Sequence, residues 1–308
     1  MGKIATRDAY GKALKDLCEK NENIIVMDAD LSGSTKTKTM KEVAPNRHIN
    51  AGIAECNMIG MAAGMAASGH TVFASSFAMF AAGRAYEIIR NSVAYPNLNV
   101  KVCATHSGIT VGEDGASHQA IEDIALMSAM PNMIVLQPSD AKATDALIHE
   151  VANVEGPCYV RLGRLAVEEI YNEDQTFEIG KGIILNQGSK VAIVATGYMV
   201  QQSMQALEML RVDGKEPTIV DMHTIKPIDQ DLLLEIAKTH DTIFTIEEHN
   251  VIGGLGSMVA STLAPYNLCE IVLHGIKDTY GESGTPSALL EKYELNANAI
   301  YQKVKALY

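Results

Sequence analysis

Short apolar runs of β character alternate along the chain with longer stretches whose apolar positions follow helical spacing. Residues 6–20 place Ala13, Leu14 and Leu17 on one side and lysines and aspartates on the other, which predicts a helix. Ile24-Ile25-Val26-Met27 then reads as a buried strand running into Asp28-Ala29-Asp30. The alternation continues through a strand at 71–74, a helix over about 78–94 and a strand at 100–104. A helix over 119–129, a strand at 133–136, a helix at 140–153 and a strand at 158–161 complete it. Near-continuous apolar strands separated by helices predict an α/β fold with a mainly parallel sheet covered on both faces.

Residues 166–188 break this rhythm. Glu-Glu-Ile-Tyr-Asn-Glu-Asp-Gln is acidic and aperiodic, and Gly180, Gly182 and Gly188 punctuate the residues after it, so a linker with a small hairpin is expected. A second α/β unit comes next, with strands at 191–195, 218–221, 242–246 and 270–273 and helices over 199–212, 229–239 and up to about 264. With 308 residues there is length for two cores. The expected division is 1–168, a linker at 169–188, and 189–308. The turn Gly253-Gly254-Leu255-Gly256 opens a helix and could cradle an anion, but it lacks the rest of a dinucleotide fingerprint and reads better as a tight turn.

One stretch departs from ordinary amphipathic patterning. Between Met58 and Ala67 there is no charge, and a lone carboxylate, Glu55, stands at its head. Gly60, Gly64 and Ser68 would share one flat helix face, and repeated glycine in a helix predicts that another backbone approaches it. Glu55 has two readings here: a helix-start charge favoured by the dipole, or a functional acid that needs a compensating partner.

Charge and composition narrow the function classes. The net charge of −12 argues against a nucleic-acid phosphate surface, and no apolar run reaches membrane-spanning length. The N-terminus has no basic-then-apolar signal segment. Cys18, Cys56, Cys103, Cys158 and Cys269 are scattered without CxxC spacing, as in a reduced, cytoplasmic protein without disulfides or a zinc site.

Ligands of parallel α/β sheets bind beyond the carboxyl ends of the strands. The polar residues at those ends are Asp28, Asp30, Ser32 and Ser34, then Ser75, Ser76 and Phe77 with Phe80. Beyond the later strands lie Thr105, His106 and Ser107, the loop from Gly112 to Gln119 with Asp114 and His118, and finally Arg161 and Arg164. Acids, two histidines, arginines and a Phe pair at one sheet edge suit an anionic polyhydroxylated substrate beside an aromatic ring.

Asp28-Ala29-Asp30-Leu31, Gly52-Ile53-Ala54-Glu55, Ser76-Phe77-Ala78-Met79-Phe80 and the run from Thr105-His106 to His118-Gln119 succeed one another in a characteristic order. So do His223-Thr224-Ile225-Lys226-Pro227-Ile228-Asp229 and Tyr280-Gly281-Glu282-Ser283-Gly284. Over essentially its whole length the sequence resembles the C-terminal half of transketolase, as found in split transketolases encoded as two chains. The resemblance implies a pyrimidine-binding domain followed by a transketolase C-terminal domain, with thiamine diphosphate held between two subunits. Phe77 and Phe80 would pack on its aminopyrimidine ring and Glu55 would hydrogen-bond a ring nitrogen, with Asp30 and Leu31 nearby. His106, Asp114 and His118 match residues that bind sugar hydroxyls or move protons, with Glu55, His106 and His118 as the catalytic set. Arg7, Ser34 and Arg164 match the grip on the substrate phosphate, and whether Arg161 shares that task is open.

Two departures stand out. Where the family often has a third aromatic, this chain has Gly83, with Tyr86 one turn later. The diphosphate-and-metal motif, Gly-Asp-Gly followed 25–30 residues later by Asn, is absent; Glu113-Asp114-Gly115 with Asn132 lacks the first Gly and is too closely spaced. The resemblance therefore implies half an enzyme. An N-terminal transketolase subunit would hold the Mg2+ or Ca2+, in a heterotetramer with two of each chain. Together they would transfer a two-carbon ketol unit between sugar phosphates in pentose phosphate metabolism. The beta subunit of a 2-oxoacid dehydrogenase, deoxyxylulose phosphate synthase and a non-catalytic module of the same fold are the alternatives.

Overall fold

The computed structural model describes residues 2–172 and 174–308. Strand β1 (Ile4–Ala5) leads into the helix Thr6–Lys20, whose buried positions include Tyr10, Ala13, Leu14 and Leu17. Then come β2 (Ile24–Asp28), β3 (His48–Asn50), β4 (Thr71–Ser75), β5 (Val100–Ala104), β6 (Ile134–Leu136), β7 (Cys158–Arg161) and β8 (Ala166–Val167), the last paired antiparallel with β1. The second half supplies β9 (Ile183–Asn186), β10 (Lys190–Ala195), β11 (Thr218–Asp221), β12 (Thr224–Lys226), β13 (His240–Asn250) and β14 (Glu270–Ile276).

The first sheet runs β12-β6-β7-β5-β4-β2-β3 and the second β14-β13-β10-β11-β9. Every pairing in them is parallel except β12 with β6 and β9 with β11. Both sheets are covered on both faces, as the unbroken apolar strands require. In β4, Val72 and Ala74 join the core under the helix Glu55–Ala67, while Phe73 joins the opposite core with Tyr10 and Leu14. In β10, Val191, Ile193 and Ala195 face one way and Ala192 and Val194 the other. Fully burying a side chain such as Phe73 contributes about 1.5–3 kcal/mol, so each alternation fixes the register of its strand.

Several boundaries differ from the sequence expectation. The expected linker contains β9, which pairs with β11 of the second sheet rather than forming a hairpin of its own. β12 lies in the sequence range of the second domain but completes the first sheet. The expected helix over 119–129 shrinks to Asp123–Ser128. Ala120 is instead drawn into a bridge with Ser107, and Gln119 donates to the carbonyls of Ile109 and Glu282. The helix expected over 78–94 is two wide π turns, Met79–Arg84 and Ile89–Ala94, around the α turn Tyr86–Ile88.

The flat face of Glu55–Ala67 also departs from expectation. This helix buries Met58, Ile59, Ala62, Ala63 and Ala66 against β4, leaving Gly60 and Gly64 on its far side. Nothing lies within 4 Å of a Cβ built on either glycine, so no described backbone of this chain fills that face.

Candidate active site

The carboxyl ends of β2, β4, β5 and β7 set out the site, and the loops after them are pinned by their own hydrogen bonds. Asp28, fully buried, accepts from the Leu31 N–H at 3.1 Å and from the Thr37 hydroxyl at 3.0 Å, fixing the loop that carries Asp30, Leu31 and Ser34. Asp30 takes a left-handed φ of 59°, and Asn50 braces it, accepting from its N–H at 3.0 Å and donating to its Oδ1 at 3.1 Å. After β4, Phe77 forms a backbone bridge to Thr105 after β5, bringing the Phe pair beside His106.

Glu55 opens its helix with 2% of its surface exposed, where the N-terminal end of the dipole favours an anion. Arg84 Nη1 donates to its Oε2 at 2.8 Å. This is the compensating cation that the lone carboxylate called for. The guanidinium also lies over the Phe80 ring, 4.9 Å from its centroid. Phe80 and Phe77 stack at 6.1 Å with 19° between planes, and His118 meets Phe80 edge-on at 5.2 Å. The His106 ring stacks on Phe77 at 3.9 Å.

His106 sits at a left-handed φ of 58° between Thr105 and the buried Ser107. Arg7 Nη1 lies 3.0 Å from its Nε2, and a guanidinium can only donate, so Nε2 accepts and Nδ1–H points to Thr105 Oγ1 at 2.9 Å. Burial, reinforced by Arg7, Arg164, His118 and Lys36, holds this imidazole down to about 3. His106 is thus held neutral at physiological pH, with Nε2 accepting and Nδ1–H donating. Arg7 also donates to the Ser34 carbonyl at 3.2 Å.

Arg164 and Asp114 stand at the same edge and contact each other at 3.6 Å, while Arg164 Nη1 donates to the Val111 carbonyl at 2.6 Å. The loop that carries Asp114 and His118 is held from the second domain. Gln119 Nε2 donates to Glu282 O at 2.9 Å, and Gly281 approaches so closely that a Cβ there would fall 1.8 Å from Gln119 Oε1.

Burial separates the two arginines. Arg161 is wholly buried, bonded to Asp123 Oδ2 and to the carbonyls of Ala120 and Glu248. Arg164 keeps 39% of its side chain exposed. The Gly253–Gly256 turn does cradle a carboxyl group, but one of the chain's own. The Glu247 carboxylate accepts from the N–H groups of Leu255 and Gly256 at 2.6 and 2.8 Å, and burial pushes it up to about 7.

The expected residues Glu55, Phe80, Phe77, His118, His106, Arg7 and Arg164 therefore line one continuous surface, with Arg84 joining Glu55 to Phe80. A buried carboxylate with Oε1 unbonded, beside two stacked phenyl rings, fits a flat heteroaromatic ring bearing a protonatable nitrogen. The cations at the far end fit an anion. Arg84, Asn50 and Lys36 were missed; the one legible hint was that Arg84 follows Phe80 by four residues. Among the described residues, no group of three or more His, Cys, Asp or Glu could hold a metal ion. Asn132 is engaged with the Ala94 carbonyl. No helix among these residues is long and apolar enough to cross a membrane.

Comparison with known proteins identifies the family. Residues 2–169 match the family model of the transketolase pyrimidine binding domain, and residues 180–300 that of the transketolase C-terminal domain. The chain is 52% identical to a Methanocaldococcus jannaschii protein described as a transketolase C-terminal section, over 97% of this chain and 94% of the relative. It is 37% identical to the 6-deoxy-6-sulfo-D-fructose transketolase subunit SqwH of Clostridium sp. (strain MSTE9), over 96% and 91%. Of Homo sapiens transketolase, 35% identical, it spans only 49%. A solved structure described as a split gene transketolase, inactive beta4 tetramer, superposes with a TM-score of 0.92 at 51% identity, covering 99% of this chain and 98% of that one. With its two domains matched in order and its length equal to half of a full transketolase, the chain belongs to the transketolase family, as a C-terminal section.

Proposed function

We propose that this chain is the C-terminal subunit of a two-chain, thiamine diphosphate-dependent transketolase that moves a two-carbon ketol unit between phosphorylated sugars in the cytoplasm. The observation that carries the reading is the buried Glu55 carboxylate with its open Oε1, at one end of an aromatic shelf whose other end is cationic. Thiamine diphosphate, when bound, supplies the electron sink for the ketol unit. Glu55 would share a proton with a ring nitrogen, Phe77 and Phe80 would pack on the ring, and Asp30 and Leu31 would lie beside it. Neutral His106, with His118 and Asp114, would orient sugar hydroxyls. Arg7 and Arg164, with the Ser34 loop, would take the phosphate, a task suited to planar multidentate donors.

The Gly-Asp-Gly…Asn motif for the diphosphate and its Mg2+ or Ca2+ is missing from the sequence. A separate N-terminal subunit would provide it, in an assembly of two copies of each chain. In keeping with this, the similar beta4 tetramer is described as inactive. The test mixes the purified chain with its N-terminal counterpart, the cofactor and magnesium, and follows ketol transfer from a ketose phosphate to an aldose phosphate. Transfer is expected in the complete mixture only, and calorimetry should show weak cofactor binding by the chain alone. Turnover of 2-oxoacids instead would identify a dehydrogenase subunit, and no reaction in any combination a non-catalytic module.

A further inference from the structure

Arg84 belongs to none of the roles assigned above, yet its placement is specific. It closes a π turn, Met79–Arg84, in which Phe80 is the second residue. The wider turn carries the guanidinium back over Phe80, and single wide turns of this kind recur at functional sites. From there it reaches Glu55, 29 positions earlier and on a different element, and takes Oε2 alone. Among the described residues no other group bonds this carboxylate, so Oε1 is left available. Gly83 beside it carries no side chain, which leaves the guanidinium as the next planar group on the shelf after the two phenyl rings.

We infer that Arg84 is a positioning residue: it holds the nearly buried Glu55 carboxylate by Oε2, aims Oε1 at the ring nitrogen of the cofactor, and extends the wall built by Phe77 and Phe80 where Gly83 cannot. A carboxylate with 2% exposure gains from a hydrogen-bonded cation that offsets its burial. Guanidinium, planar and permanently charged, can bond the acid and lie on the phenyl ring at once, which an ammonium does less well. The side chain is 51% exposed, so its role is not to fill the core.

This inference rests on the cofactor reading above, and the experiment separates the two. Arg84→Met, Arg84→Lys, Glu55→Gln and the Arg84→Met/Glu55→Gln double variant are prepared in the complex with the N-terminal subunit, thiamine diphosphate and magnesium. Three quantities are read: cofactor affinity by calorimetry, the near-ultraviolet circular dichroism of the bound aminopyrimidine, and deuterium exchange at the reactive thiazolium carbon. Arg84→Met is expected to slow exchange about 10- to 100-fold and to alter the dichroism, with cofactor affinity little changed. Arg84→Lys should recover part of the rate, and the double variant should be no slower than Glu55→Gln. Wild-type exchange in Arg84→Met, or multiplying effects in the double variant, would overturn the inference alone. A wild-type complex that binds no cofactor would overturn the cofactor reading and this inference with it.

Discussion

Arg161 donates through Nε to Asp123 Oδ2 at 2.8 Å, and neither side chain reaches solvent. Tyr159 donates its hydroxyl to the same oxygen at 2.7 Å, and Arg161 Nη2 reaches the Glu248 carbonyl of β13 at 3.1 Å, so the pair joins the two sheets. Removing one member strands the other charge in the interior, which costs about 3–5 kcal/mol. Arg161→Met should therefore lower the urea midpoint by that equivalent. In whatever fraction assembles, the ratio of KM for phosphorylated to unphosphorylated acceptors should stay unchanged.

Arg164→Ala should do the reverse. Losing a charged hydrogen-bond donor to an anion costs about 1.5–3 kcal/mol, or roughly 10- to 150-fold in affinity. KM for phosphorylated acceptors should rise by that order and KM for unphosphorylated ones much less, with the urea midpoint nearly constant. Equal rises for both acceptor types would remove Arg164 from the phosphate.

His106 makes stability depend on pH with a definite sign. Burial and the neighbouring cations hold it at about 3, below its ordinary 6.5. Between those values the unfolded chain binds the proton first, so stability falls as pH drops from 6.5 toward 3, by at most about 1.4 kcal/mol per pH unit for this group. Asn tolerates the left-handed backbone at this position. The stability difference between wild type and His106→Asn, from urea midpoints at pH 7, 5.5 and 4, should shift steadily in favour of the variant as pH falls.

Glu55→Ala should abolish turnover in the assembled complex, a loss on the order of 10²–10⁴-fold or more for a proton-sharing acid. Alanine suits the helix start poorly as a cap but well as a helix former, and the half-exposed Arg84 can turn to water, so the far-ultraviolet dichroism should not change. Retained turnover would remove Glu55 from the chemistry.

Strand–helix alternation was legible because the parallel strands are apolar on both faces and so stand out as unbroken runs. The sheet-edge rule then collected Asp30, Phe77, His106, His118 and Arg164 without knowledge of any distance. What periodicity could not show were pairings between segments far apart in sequence. Nothing in a linear pattern says that Glu55 meets Arg84 rather than Arg47, which instead donates to the carbonyls of helix Thr6–Lys20 and its surroundings. Nor does it distinguish a buried Arg161 from an exposed Arg164 three positions on, since the difference lies in Asp123 on another element. The π turns were illegible for a related reason: Met79 to Ala94 has ordinary helix-forming residues, and the extra residue per turn is set by packing.

Strand β12 holds the outer edge of a sheet whose other strands all end by Arg161. A chain leaving the ribosome thus has the residues for six of those strands long before Thr224–Lys226 is made. Until then the hydrogen-bonding edge of Ile134–Leu136 lies bare, and bare edges invite pairing with other chains. The first lobe consequently finishes folding only after about the first third of the second has been synthesised, and a fragment cut anywhere ahead of residue 224 would carry an adhesive border that the whole chain conceals.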